Sequence, residues 1–226
     1  MSEYKCINCG KTKQSTAPCK CNVCGYKSKT EKHSFENEIC SVCGLNRTAS
    51  VKSGEDEFAF TTFKEAVDKA MKLPGSVVTI HTDLINFDLI YHEALELWKA
   101  VNINSGTFTI DFGGHTFGSV NGEGVRVNTV LIIGDKADIT LKNGKINLAG
   151  VSTTNDAAIY VKGGKLTLEN ITVQGGLSLL WQCHAISVMG GKLAIKENVV
   201  LANGFEADEN SEIEPLTSGS FICSSE

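Results

Sequence analysis

Residues 158–168 read AIYVKGGKLTL and residues 185–195 read AISVMGGKLAI, a match at seven of eleven positions that includes the turns Gly163-Gly164-Lys165 and Gly190-Gly191-Lys192. The segments lie 27 residues apart. The same step carries Ile132 to Ile159, Ile186 and Ile213, Ile139 to Leu166 and Leu193, and Ile146 to Val173 and Val200. A fixed period with apolar residues at fixed phases means one structural unit stacked on copies of itself. Inside the unit the apolar residues alternate at period two, as in Ile159/Val161, Leu166/Leu168 and Ile171/Val173, which is the signature of strands. Three short strands per unit, separated by turns and facing their apolar set one way, describe the coil of a parallel β-helix. On this phase Ile159 and Ile186 point inward and Ser187 points outward. Ile213, Leu216, Phe221 and Cys223 then begin a fourth coil in phase with Ile186, Val188, Leu193 and Ile195, with one residue inserted after Ile213 and Cys223 as a small inward hydrophobe. That coil stops at Glu226 before its third strand. The expectation is a fragment of a longer protein, or a homo-oligomer or partner complex formed through the open C-terminal coil.

Charge divides the chain. Residues 1–53 hold nine Lys/Arg against four Glu, and the remainder holds twelve against twenty-two acids. With SVKSGED near Ser50–Asp56 read as a linker, the expected organisation is a cysteine-rich module over 1–53, an N-terminal solenoid cap over 54–100 and the β-helix over 101–226. No apolar run reaches the ~18–20 residues of a spanning helix, and MSEYKC lacks the apolar core of a secretory signal. On these grounds the protein is expected to be either cytoplasmic or one whose signal has been removed.

Seven of the nine cysteines fall in the first 43 residues, six of them as Cys6-x-x-Cys9-Gly10, Cys21-x-x-Cys24-Gly25 and Cys40-x-x-Cys43-Gly44. Two thiolates at that spacing bind one metal from a tight turn, and the following glycine takes the positive φ the turn needs. Adding Cys19 and His33 gives eight ligands, enough for two tetrahedral structural zinc ions. The preferred pairing is Cys6, Cys9, Cys21 and Cys24 in one site and Cys19, His33, Cys40 and Cys43 in the other. Rival arrangements join the second and third knuckles, use a single zinc with spare thiols, or oxidise the set to disulfides. A nucleic-acid role is disfavoured. Seven thiolates and two Zn²⁺ reduce the module's +5 to roughly +2, and few aromatic rings are present to stack on bases.

Thr62-Phe63-Lys64-Glu65 is a capping box opening an amphipathic helix with Phe63, Ala66, Val67, Ala70 and Met71 on one face. Pro74-Gly75 stops it and Val77–Ile80 follows as a strand. A helix laid over the first coil would hide its exposed end. Residues 89–100 are expected to add a second short helix.

Residues 108–117 (FTIDFGGHTF) resemble the TLDLNGHTI coil of pectin-lyase-like right-handed β-helix proteins, of the surface-protein type found in gut Firmicutes. The preceding helix and strand (61–84), the ending Leu216–Phe221 and the segment His33–Gly44 are similar to segments that accompany that coil. The resemblance implies a right-handed parallel β-helix, a metal-knuckle module and an exported or cell-surface protein. It implies no reaction.

Polysaccharide lyases and hydrolases of this fold gather Asp, Arg or Lys across neighbouring coils on one outer face. Here Arg126 is the only arginine after Arg47, and Asp135, Asp138 and Asp156 read as turn residues without partners at the 27-residue interval. Asp111 is expected to face solvent and His115 to sit at a glycine corner. No catalytic residue is assigned. The cluster Trp181-Gln182-Cys183-His184 supplies Trp181 and His184 as candidate ligand contacts, Trp181 by stacking on a sugar ring. Adjacent Cys183 and His184 diverge in extended backbone and are not a dyad. The leading expectation is therefore a non-enzymatic structural or binding module facing a protein partner or glycan. The alternatives are a carbohydrate-active β-helix enzyme and an intracellular zinc-ribbon adaptor.

Overall fold

The computed structural model describes residues 46–84, 101–118, 129–147, 157–175, 184–202 and 204–214, and the short segments 3–5, 12–14, 35–36, 38–40, 90–92, 97–99, 126–127 and 221–224. Among the described residues the chain is mainly β, with one short helix and a β-solenoid of about three turns. In the N-terminal region, β1 (Glu3–Lys5) pairs antiparallel with β2 (Thr12–Gln14), and β3 (Phe35–Glu36) with β4 (Ile39–Cys40). The entrance to the solenoid is β5 (Ala49–Ser53), β6 (Asp56–Phe60), α1 (Phe63–Ala70) and β7 (Ser76–Ile80). Then come β8 (Ile90–His92), β9 (Leu97–Lys99), β10 (Val101–Asp111), β11 (Thr116–Gly118), β12 (Arg126–Val127) and β13 (Leu131–Asn147). The later strands are β14 (Ile159–Lys162), β15 (Lys165–Gln174), β16 (Ile186–Val188), β17 (Lys192–Ile195), β18 (Val199–Ala202), β19 (Phe205–Ala207), β20 (Glu212–Glu214) and β21 (Phe221–Ser224).

Three parallel stacks enclose the core. The first runs from the start of β10 through the start of β13 to β14, β16 and β19. The second runs from β7 through the end of β10 and the middle of β13 to β15, β17 and β20. The third contains β11, the end of β13, the end of β15, β18 and β21. Alternation places Leu131, Ile133, Ile159, Val161, Ile186 and Val188 inside from the first stack, and Ile110, Ile139, Leu141, Leu166, Leu168 and Leu193 inside from the second. Each such side chain leaving water contributes about 1.5–3 kcal/mol before the entropy of ordering is subtracted.

The registers correct the sequence phase at three places. Ile159 stands opposite Leu131, not Ile132, and Ile132 is half-buried on the outer side. Val173 stands opposite Leu201, not Val200, because the corner before β18 is one residue longer than the corner at Asn170. Since side chains alternate, that one residue reverses which valine is inside, and Val199 and Leu201 are the fully buried pair. The last rung begins earlier than the 27-residue step requires. Ile186 pairs with Phe205, and Ile213 pairs with Leu193. Gly204, at φ 67, turns the chain directly from β18 into β19, so this rung omits the long connection that separates β15 from β16. Cys223 accordingly stands opposite Leu201, not Ile195.

Ser187 keeps its outward position but is not open to solvent. Its side chain is covered, 1% exposed, and its Oγ donates to Glu206 Oε1 at 2.7 Å, because β19 lays Glu206 beside it in register. Residues 89–100 contain two antiparallel strands, β8 and β9, where a second helix was expected. Residues 50–56 belong to the β5–β6 hairpin and its turn; Ala49 and Val51 are fully buried, which a linker could not accommodate.

Helix α1 forms as its sequence dictates. Thr62 is extended, its Oγ1 accepts from Glu65 N at 3.3 Å and donates to Glu65 Oε2 at 2.9 Å, and Phe63, Ala66, Val67 and Ala70 are buried. The Phe63 ring meets Phe117 edge-on at 5.0 Å, joining the helix to the third stack.

Candidate functional site

The outer surface of the solenoid is the candidate site, and it begins at the corners between the second and third stacks. Asn143, Asn170 and Asn198 occupy these corners at φ 58, 48 and 53. Among residues with a Cβ, asparagine is one of the few that tolerate this left-handed region. Stacking puts the side chains in a row. Asn170 Nδ2 donates to Asn143 Oδ1 at 2.9 Å, and Asn143 Nδ2 donates to both Asp111 carboxylate oxygens at 3.1 and 3.0 Å. Asp111 also accepts from Gly113 N at 3.0 Å and faces Lys142 Nζ at 3.5 Å. The carboxylate expected in solvent thus closes a hydrogen-bonded chain. A shallow open groove follows the row, bordered by Gly114, Gly144 and Thr172.

Charged residues on the second stack pair from rung to rung. Asp111 stands opposite Lys142, and Lys142 opposite Glu169; Lys196 Nζ reaches Glu169 Oε2 at 3.5 Å. Four residues earlier along the strands, Asp138 stands opposite Lys165, Lys165 opposite Lys192, and Lys192 opposite Glu212. Asp135 and Asp138, read from sequence as turn residues, lie within β13, and Asp138 has a same-phase partner on the next rung. Lys192 binds Glu214 and, at 3.2 Å, Glu212. These hydrogen bonds raise its ammonium pKa, Glu214 first and Glu212 second, while the Lys192 hydrogen bond holds the Glu214 carboxyl below its ordinary value. Asp208 is likewise lowered, chiefly by the hydroxyl of Ser211 and then by the backbone amides of Gly190 and Asn210.

His184, His115 and His81 each meet a polar side chain. His184 Nε2 lies 3.7 Å from Glu206 Oε2, and the same carboxylate accepts from Ser187. In an acyl-transfer triad the imidazole stands between hydroxyl and carboxylate. Here the carboxylate is in the middle and the hydroxyl is buried, so the arrangement does not generate a serine nucleophile. His115 Nδ1 meets Asp83 Oδ1 at 3.3 Å, and that oxygen also accepts from Thr116 N at 2.8 Å. His81 Nε2 lies 3.0 Å from Ser50 Oγ, and burial, followed by the charge of Arg47, lowers its pKa.

Of the sequence candidates, His184 is brought to Glu206, and Cys40 is placed on β4 as backbone only. Cys6, Cys9, Cys19, Cys21, Cys24, His33, Cys43, Trp181 and Cys183 lie outside the described residues, as do Asp156 and Leu216. Among the described residues there is no group of three or more His, Cys, Asp or Glu side chains that could hold a metal ion, and no helix is long and apolar enough to cross a membrane. The asparagine row and the charge pairs escaped the sequence reading although Asn143, Asn170 and Asn198 recur at steps of 27 and 28 residues. Attention to polar as well as apolar positions at the repeat interval would have found them. No protein-family model, no curated protein and no solved structure matches this chain.

Proposed function

We propose that the protein is a non-enzymatic structural or binding module, a right-handed parallel β-helix that presents its outer surface to a protein partner or glycan. In this reading the repeat is a coil of about 27 residues, the register step joining Ile139, Leu166 and Leu193. Helix α1 is the N-terminal cap, and the cysteine-rich segment is a zinc-ribbon-like head with two structural zinc ions on Cys6, Cys9, Cys19, Cys21, Cys24, His33, Cys40 and Cys43. The pectin-lyase-like resemblance of residues 108–117 supports the handedness and the surface-protein setting.

The observation that carries the reading is the pairing of Asp111 with Asn143 and Lys142. This outer-face carboxylate, 23% exposed, spends its lone pairs on a corner, a backbone amide and a neighbouring rung. A general acid or base needs that capacity for its substrate. Lys192 with Glu212 and Glu214, and Lys196 with Glu169, are similarly engaged along the rungs. Incubation with pectin, polygalacturonate and bacterial glycans should release no reducing ends or unsaturated products. Reproducible turnover abolished by Asp111→Asn or His184→Ala would replace this reading with the enzyme alternative.

A further inference from the structure

Asn143 is followed directly by Gly144, and an Asn-Gly pair is chemically labile. Glycine carries no side chain to shield its backbone nitrogen, so that nitrogen can attack the preceding carboxamide when the two meet. In the folded corner both partners of the attack are held apart. The Asn143 carboxamide makes three hydrogen bonds, two donated to Asp111 at 3.1 and 3.0 Å and one accepted from Asn170 at 2.9 Å. The peptide plane between Asn143 and Gly144 is fixed as well, since its carbonyl accepts from Gly114 N at 2.7 Å. On either side, Phe112 N donates to Lys142 O at 2.9 Å and Lys145 N to His115 O at 3.1 Å. Gly144 itself is hemmed in. A Cβ there would lie 2.3 Å from Phe112 Cβ and 2.7 Å from His115 O. While these contacts stand, the carboxamide is not free to swing onto Gly144 N.

We propose that Asn143 is a site of spontaneous deamidation, closed in the folded corner and opened when the corner frays, and that its conversion is a one-way switch of the contact between β10 and β13. The Gly144 nitrogen forms a bond to Asn143 Cγ and gives up its proton. The Cγ–Nδ2 bond breaks, and Nδ2 leaves as ammonia. Water then opens the resulting succinimide at either carbonyl, leaving aspartate or isoaspartate at position 143. No oxidant or reductant enters. Either product replaces the amide that donated to Asp111 by a carboxylate, so two like charges meet across the rungs. Among the described residues Lys142 Nζ, at 3.5 Å, is the cation facing Asp111, and it would have both to neutralise. Isoaspartate also adds a carbon to the main chain, at a corner whose length sets the register of the strand segment beyond it.

The test incubates the full chain at one mildly alkaline pH, native and in concentrated urea, and follows position 143 by peptide mass spectrometry. Conversion should be at least about tenfold slower in the native chain, because only local opening exposes the site. Asp111→Ala removes both acceptors of Nδ2 and should raise the native rate about fivefold or more. Asn170→Gly, which keeps the neighbouring turn and removes the third bond, should raise it in the same direction. Ile186→Ala loosens the core two rungs away and should leave the rate within about twofold of the parent. A second arm reads the product. Asn143→Asp should lower the midpoint of chemical denaturation, and Asp111→Asn added to it should restore most of the loss. Equal conversion in native and unfolded chains, or Ile186→Ala converting as fast as Asp111→Ala, would show that the corner does not guard Asn143 and would overturn the proposal. So would an Asn143→Asp chain as stable as the parent, or one that Asp111→Asn does not rescue, because the modification would then switch nothing at this contact. These outcomes involve no partner or glycan, so failure here is separable from failure of the binding-module reading.

Discussion

Asn143 donates to both oxygens of Asp111 from the next rung, at 3.1 and 3.0 Å, while its backbone sits at φ 58. One residue thereby turns a corner and ties two coils. The two tasks separate by mutation. Asn143→Gly keeps access to the turn and loses the side-chain bonds, whereas Asn143→Ala loses the bonds and adds backbone strain. Chemical denaturation should show the alanine variant about 1–3 kcal/mol less stable than the parent and the glycine variant intermediate. Equal losses would show that only the hydrogen bonds count at this corner.

Ser187 and Ile186 test the interior and the covered exterior of one strand. Ile186→Ala removes a fully buried side chain and should cost about 2–5 kcal/mol. Ser187→Ala leaves Glu206 without its shortest hydrogen bond and should cost about 1–3 kcal/mol. A neutral Ser187→Ala in the same denaturation series would mean that Glu206 is satisfied elsewhere.

His81 gives a pH dependence with a definite sign. Its folded pKa lies below the ordinary value near 6.5, first because of burial and then because of Arg47. The unfolded chain therefore takes up the proton more readily. The associated stability is complete above the unfolded pKa and falls as pH drops from there through the lower folded pKa. Thermal melts between pH 8 and pH 5 should decline less steeply for His81→Gln than for the parent. An identical decline would assign the acid sensitivity to other groups.

Gly164 is held by close packing of backbone. A Cβ there would come within 2.1 Å of the Gly134 carbonyl oxygen, with no flexible side chain to move aside. Gly164→Ala should lower the melting temperature more than Gly190→Ala, whose added methyl meets nothing within 4 Å even though φ 78 strains it. Reversal of that order would place the two neighbouring rungs further apart at this corner.

Zinc is tested directly by elemental analysis. Protein purified without added metal should contain close to two Zn per chain, and chelation should unfold residues 1–45 while leaving the β-sheet circular dichroism signal in place. Disulfides with no zinc would refute the proposed head.

What the sequence determined by itself was the kind of architecture and the elements that local chemistry controls. Period-two alternation repeated at 27 residues specified stacked strands, and Ile139, Leu166 and Leu193 meet as that spacing requires. Thr62 and Glu65 specified the start of α1 because a capping box is closed within four residues. The tertiary structure decided everything that depended on corner length. One extra residue before β18 turned Val199 and Leu201 inward in place of Val200, and the Gly204 corner moved the start of the last rung to Phe205. It also decided that Ile90–His92 pairs with Leu97–Lys99 and that Ser187 and Asp111 are engaged by residues on neighbouring strands and rungs. A strand's inside and outside exchange with a shift of one residue, and a polar side chain's partner is chosen by register, so neither follows from a segment's own composition.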